Sequence, residues 1–231
     1  MCDRLILRTA PRMLRAILFD LDNTLYDLQA HWTACLRAAL AQAAAHTRHD
    51  LEALVHAALQ SQTWINQLPA FLRTQGISDP TLIAMAHTRY REIWFDTLTL
   101  DPDAPALLAE LGARYRLALV TNGPSWSQRP KIERFGLATS MQVILVSEEV
   151  GIAKPDPAIF SMALDALAVQ PGEALFVGDS PEHDLCGAAA AGIPAIWVNR
   201  HRLMLPPAVP PPLATVDRLC MLADLIARYD A

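Results

Sequence analysis

The pattern that most constrains this chain is a series of short apolar runs, each closing on polar or acidic residues and each followed by a helical stretch. The runs occupy residues 16–21, 117–121, 143–147, 174–178 and 195–198. They are short, continuously apolar and punctuated by turn residues, as strands buried on both faces of a parallel sheet are. Between them, Asp156-Pro157 supplies an N-cap and a first helical position for a helix over 158–168. A second helix over 182–191 stops at Gly192. Strands and helices in this alternation predict an α/β fold with a Rossmann-like parallel sheet covered on both faces.

Residues 29–98 interrupt the alternation. They are rich in Ala and Leu, carry no strand pattern, and read as helices near 30–46, 51–64, 69–75 and 80–96. The plainer alternative is that these helices pack on the sheet. The segment is longer than one crossover needs, so an inserted helical subdomain at 29–98 is expected. The core then comprises 13–28 and 99–231, and residues 1–12 read as a loose tail with Met13 as the natural start. Pro206, Pro207, Pro210, Pro211 and Pro212 predict an extended surface connector to a last helix over 216–229. Pro130 falls in a helix expected from about Ser125, which should therefore begin late or bend.

Apolar residues make up 52% of the chain and charged residues 19%, the balance of a protein with a sizeable core and the reverse of disorder. A net charge of -5, with no basic stripe, excludes a nucleic-acid polymer as partner. No run approaches the roughly 20 apolar residues of a membrane span. Cys2, Cys35, Cys186 and Cys220 are scattered without metal-ligand or disulfide spacing and read as reduced thiols of a cytoplasmic protein. Monomer and homodimer both stay open.

Four strand ends carry the chemistry. Asp20, Asp22 and Thr24 leave the first strand together, and the alternation of side chains can turn both acids to one side. One such Asp is ordinary turn material, but two repel each other and call for a cation. The second strand ends in Thr121-Asn122-Gly123, whose hydroxyl, amide and flexible backbone can wrap phosphate oxygens, although alone it is a common turn. Lys154 lies in a loop stiffened by Pro155 and Pro157, which limits where its ammonium can go. The fourth station is Gly178-Asp179-Ser180, with Asp184 one helical turn on, able to reach back; Glu182 and His183 are read as solvent-facing. Ligands of open α/β sheets bind outside the carboxyl ends of the strands, where strand order reverses, and all four stations obey that rule.

The segment from Phe19 to Tyr26 resembles the first signature of the haloacid dehalogenase-like hydrolase superfamily. Thr121, Lys154, and Gly178-Asp179-Ser180 with Asp184 are similar to the other three, in order. The resemblance runs from Arg15 onwards, and the inserted region resembles the family's helical cap. It implies that Asp20 is the nucleophile, forming an aspartyl-phosphate, and that Asp22 protonates the leaving oxygen and then activates water. Thr121, Asn122 and Lys154 would bind phosphate, with Lys154 also neutralising Asp20. Mg²⁺ would be held by Asp20, the Asp22 carbonyl, Asp179 and Asp184, and a tight turn at Asn23–Thr24 would fix Asp22. His183 departs from the family pattern, standing where many relatives carry Asn.

The expected activity is Mg²⁺-dependent hydrolysis of a small phosphate monoester, either a nucleoside monophosphate or a sugar or metabolite phosphate. Dehalogenation would not need Asp22, because a halide leaves without a proton. A phosphomutase of the same family, which often carries an apolar residue at the position of Thr24, is one alternative. A non-catalytic phosphometabolite-binding or interaction module is another. Trp64, Phe71, Trp94 and Trp126 are candidate stacking surfaces for the leaving group, each more simply read as a packing residue.

Overall fold

The computed structural model describes residues 13–230. The expected tail at 1–12 lies outside the described residues. Six parallel strands form one sheet: β1 (Ala16–Phe19), β2 (Arg116–Thr121), β3 (Val143–Val146), β4 (Ala174–Gly178), β5 (Ala195–Val198) and β6 (Ala214–Val216). Their order is β3-β2-β1-β4-β5-β6, so the chain reverses direction across the sheet between β1 and β4. Every residue of β1, β4 and β5 is buried, as a sheet covered on both faces requires. The register brings Phe19 opposite Leu119 on one side and Val177 on the other, which aligns the three strand ends that carry the acids and Thr121. Helix Pro157–Leu167, capped by the Asp156 carboxylate as expected, packs Ile159, Phe160 and Leu164 into the core with Phe176. Burying one such side chain is worth ~1.5–3 kcal/mol.

Several expectations change in whole or in part. Val216 belongs to edge strand β6, paired with Val198, and the last helix starts only at Leu222. Three residues are too few to show a period, so this strand exists through its pairing with β5. The helix expected over 182–191 opens as a π-type turn, Pro181–Leu185, before α-helix Cys186–Ala190. In that turn Asp184 and Leu185 both donate their N–H to the Ser180 carbonyl, which curls Asp184 back towards the strand end. The helix containing Pro130 spans Ser125–Arg134 and begins no later than its pattern suggested.

Asp27–Thr99 form a second compact unit, inserted between β1 and β2. Its helices are Leu28–Ala45, Leu51–Gln60, Leu68–Thr74 and Pro80–Asp96. Asp27, Asp50 and Asp79 each accept a backbone N–H at a helix start, a cap worth ~0.5–2 kcal/mol. The second helix ends at Gln60 rather than 64, where Gln62 turns into the left-handed region at φ 49°. The unit has its own core, with Leu36, Leu40, Leu54, Leu72 and Tyr90 among its fully buried members.

Among the described residues no helix is long and apolar enough to cross a membrane.

Candidate active site

Leu21 to Tyr26 fold into a tight turn as the chain leaves β1. The N–H groups of Thr24 and Leu25 both donate to the Leu21 carbonyl. Asn23 adopts φ 58°, a left-handed conformation that Asn tolerates better than most residues. Arg200, just past β5, clamps this turn. Its Nε donates to the Asn23 carbonyl at 2.9 Å, one Nη to the Thr24 carbonyl at 2.6 Å, and the other to Asp101 Oδ2 at 2.5 Å.

Asp20, Asp179 and Asp184 converge, each offering an oxygen within 4.8 Å of the others'. Lys154 Nζ reaches into the same place, 2.6 Å from Asp20 Oδ1 and 2.7 Å from Asp184 Oδ1. Asp20 follows β1, Asp179 and Asp184 both follow β4, and Lys154 lies in the loop before helix Pro157–Leu167; none of the four is exposed. Burial and the neighbouring acids push the Asp20 carboxyl up to about 7 and Asp179 to about 8, while Lys154 opposes both shifts. Burial lowers the ammonium of Lys154, but the carboxylates of Asp184 and Asp20 outweigh it and hold Lys154 firmly charged. Three acids against one lysine leave an excess of negative charge that only protons or a further cation can balance.

Details around the cluster are close-fitting. Asp184 Oδ2 accepts the Ser180 N–H at 2.9 Å, whereas Oδ1 accepts no aligned hydrogen bond. A Cβ at Gly178 would lie 2.3 Å from Asp184 Oδ2, so only glycine admits the acid. Thr24 Oγ1 donates to Asp20 Oδ2 at 3.2 Å. The all-oxygen donor set of three convergent carboxylates suits a hard divalent cation such as Mg²⁺.

Thr121 ends β2, fully buried, with its hydroxyl 3.0 Å from Gln128 Nε2. The Asn122 side chain is engaged twice by the backbone of Lys154: Oδ1 accepts its N–H and Nδ2 donates to its carbonyl, each at 2.9 Å. The amide therefore positions the lysine. Asp22 is held by three groups: Lys131 Nζ at 2.7 Å on Oδ1, Gln128 Nε2 at 2.9 Å on Oδ2, and the Tyr26 hydroxyl on Oδ1. Glu182 and His183 are exposed, as expected.

Gln128, Lys131, Tyr26 and Arg200 were not anticipated as site residues. Lys131 and Gln128 sit in the polar stretch Ser125–Arg134, which reads as a solvated helix. Their i, i+3 spacing right after Thr121-Asn122-Gly123 is the one signal that points to them. The proposed stacking aromatics resolve mostly into packing. Trp64 stacks on Trp32 at 4.5 Å, Trp94 stacks on Tyr90 at 5.6 Å, and Phe71 is buried. Trp126 is 66% exposed.

In a doubly wound parallel sheet, ligands bind at the switch point outside the strand ends, and the carboxylates converge there. Residues 14–192 match the haloacid dehalogenase-like hydrolase family, and the chain belongs to it. It is 33% identical over 205 residues to the N-acylneuraminate-9-phosphatase of Rattus norvegicus, covering 80% of this chain and 83% of that one. A phosphoserine phosphatase of Thermus thermophilus is 51% identical over 102 residues, 44% of this chain and 41% of that protein. This chain thus spans less than half the length of that relative. A magnesium-bound haloacid dehalogenase-type hydrolase of Bacillus subtilis shares the fold with a TM-score of 0.69 and 24% identity, over 93% of this chain and 99% of that one. These curated relatives are phosphoric monoester hydrolases, and the chain is an enzyme of that class.

Proposed function

We propose that the chain is a Mg²⁺-dependent phosphatase that hydrolyses a small phosphate monoester through an aspartyl-phosphate on Asp20. The observation that carries this reading is the Lys154 ammonium, 2.6 Å from Asp20 and 2.7 Å from Asp184 in a buried, acid-rich strand-end site. Asp20 attacks phosphorus. Lys154 and the Thr121 hydroxyl bind the phosphoryl oxygens, and Asn122 contributes by fixing the Lys154 backbone and through its own main chain. Asp22 gives a proton to the leaving alkoxide and then takes one from the attacking water, a role worth about 10²–10⁴-fold. Splitting hydrolysis at a covalent intermediate replaces one difficult displacement by two easier ones.

Asp20, Asp179 and Asp184, with the Asp22 carbonyl, would hold Mg²⁺. When bound, the ion neutralises charge on the phosphoryl oxygens and helps to orient them. The magnesium carried by the Bacillus subtilis protein supports this choice of metal. The names of the curated relatives support a small phosphorylated metabolite as substrate, with sugar and metabolite phosphates and nucleoside monophosphates the classes to test.

Phosphate release from a panel of these esters, with Mg²⁺ and with a chelator, tests the reading. Release should stop with the chelator and in Asp20→Asn, and full activity in Asp20→Asn would overturn the mechanism. Steady release without a bisphosphate activator separates a hydrolase from a phosphomutase.

A further inference from the structure

Both oxygens of the Asp22 carboxylate are gripped by side chains outside the four strand-end stations. Lys131 Nζ donates to Oδ1 at 2.7 Å, and Gln128 Nε2 donates to Oδ2 at 2.9 Å. The Tyr26 hydroxyl donates to Oδ1, and its ring lies 5.7 Å from Lys131 Nζ. Lysines ordinarily keep their ammonium in water, yet Lys131 is 3% exposed and Gln128 2%. The two lie one turn apart on the same helix and so present one face to Asp22. Gln128 also reaches the Asn122 carbonyl at 2.6 Å, which ties Asp22 to the Thr121 station.

We propose that Lys131, supported by Gln128 and Tyr26, is a positioning residue for proton transfer by Asp22. The inference rests on the acid–base role of Asp22 given above. In the first step a bond forms between an Asp20 oxygen and phosphorus, the ester P–O bond breaks, and the Asp22 proton passes to the departing alkoxide. In the second step a water oxygen bonds to phosphorus, the Asp20–phosphorus bond breaks, and Asp22 takes the water proton. As its proton leaves in the first step, Asp22 becomes a carboxylate against the Lys131 ammonium, an attraction that grows towards the transition state. The hydrogen bonds to both oxygens hold the carboxyl in one orientation while this happens.

The leaving group separates this role from a structural one. p-Nitrophenolate departs without a proton, whereas an alkoxide needs one, and kcat/KM covers the steps through ester cleavage. Lys131→Met should lower kcat/KM about 10²-fold on the best alkyl phosphate of the panel. On p-nitrophenyl phosphate the loss should stay under about fivefold. Lys131→Gln should show the same selective loss, and Lys131→Arg should recover most of it. The ratio is taken within one preparation, so a smaller folded fraction cancels. Equal losses on both esters in the Met and Gln variants, or no loss, would overturn the proposal. Asp22→Asn in parallel keeps the two levels apart. If Asp22→Asn is selective and Lys131→Met is not, the positioning role alone fails. If Asp20→Asn keeps full activity, the reading beneath it fails as well.

Discussion

Lys154 Nζ and Asp184 Oδ1 stand 2.7 Å apart where almost no solvent reaches either. Removing one partner of a buried pair leaves the other charge uncompensated, which costs about 3–5 kcal/mol. Lys154→Met should therefore lose stability of that order in chelator at neutral pH, read by thermal or denaturant unfolding, and should show no phosphatase activity. A variant as stable as the parent would show that Asp184 finds its compensation elsewhere.

The two raised carboxyl groups each add a pH dependence to the stability of the metal-free protein. Asp20 rises to about 7 and Asp179 to about 8, both from 3.8 and both chiefly through burial. The native state thus binds more protons than the unfolded state between these limits. The stability this provides is fully present below about pH 3.8 and is lost as pH rises through 7 to 8. Melting curves in chelator should show the Asp20 and Asp179 contributions declining from about pH 4 to pH 8, a trend that Asp179→Asn should flatten. Metal binding requires ionised carboxylates, so Mg²⁺ should raise the melting temperature more at pH 8 than at pH 5.5.

Gly178 is where backbone and acid meet most closely. An added Cβ would lie 2.3 Å from Asp184 Oδ2 and 2.7 Å from the Phe176 ring. Gly178→Ala should cost about 1–3 kcal/mol through overpacking. It should also weaken Mg²⁺ binding, measured by calorimetry, because Asp184 must move. Unchanged Mg²⁺ affinity would mean that Asp184 is not needed for the metal.

Arg200 holds the turn that carries Asp22 by two carbonyls while pairing with Asp101 at 2.5 Å. Lysine keeps the charge but lacks the fork that spans three acceptors. Arg200→Lys should lower kcat at least tenfold with a smaller change in KM. A double-mutant cycle with Asp101→Asn should give a coupling of ~1–3 kcal/mol in unfolding experiments. Additive effects would show that the clamp does not couple the two.

The strands β1 to β5 were legible because buried parallel strands are defined by composition, and β4 and β5 fall where the sequence placed them. The acids stood out because Asp at the end of an otherwise apolar strand is poor packing material. The edge strand β6 was not legible: Ala214–Val216 has no period, and its hydrogen bonds to β5 create it. Lys131 and Gln128 escaped for a different reason. Their polar helix reads as solvated on any residue scale, and only the placement of Asp22 opposite its inner face turns that polarity inward.

The sequence by itself determined the α/β class, the helical insertion and which strand ends bear charge, since these follow from local periodicity and from the cost of acids beside apolar strands. Tertiary structure alone decided which charges meet. Asp20 and Lys154 are 134 positions apart and Asp22 and Lys131 are 109, and only the order of strands in the sheet brings them within 2.7 Å. Coulomb attraction and desolvation act on distances in space, and along the chain those distances cannot be read.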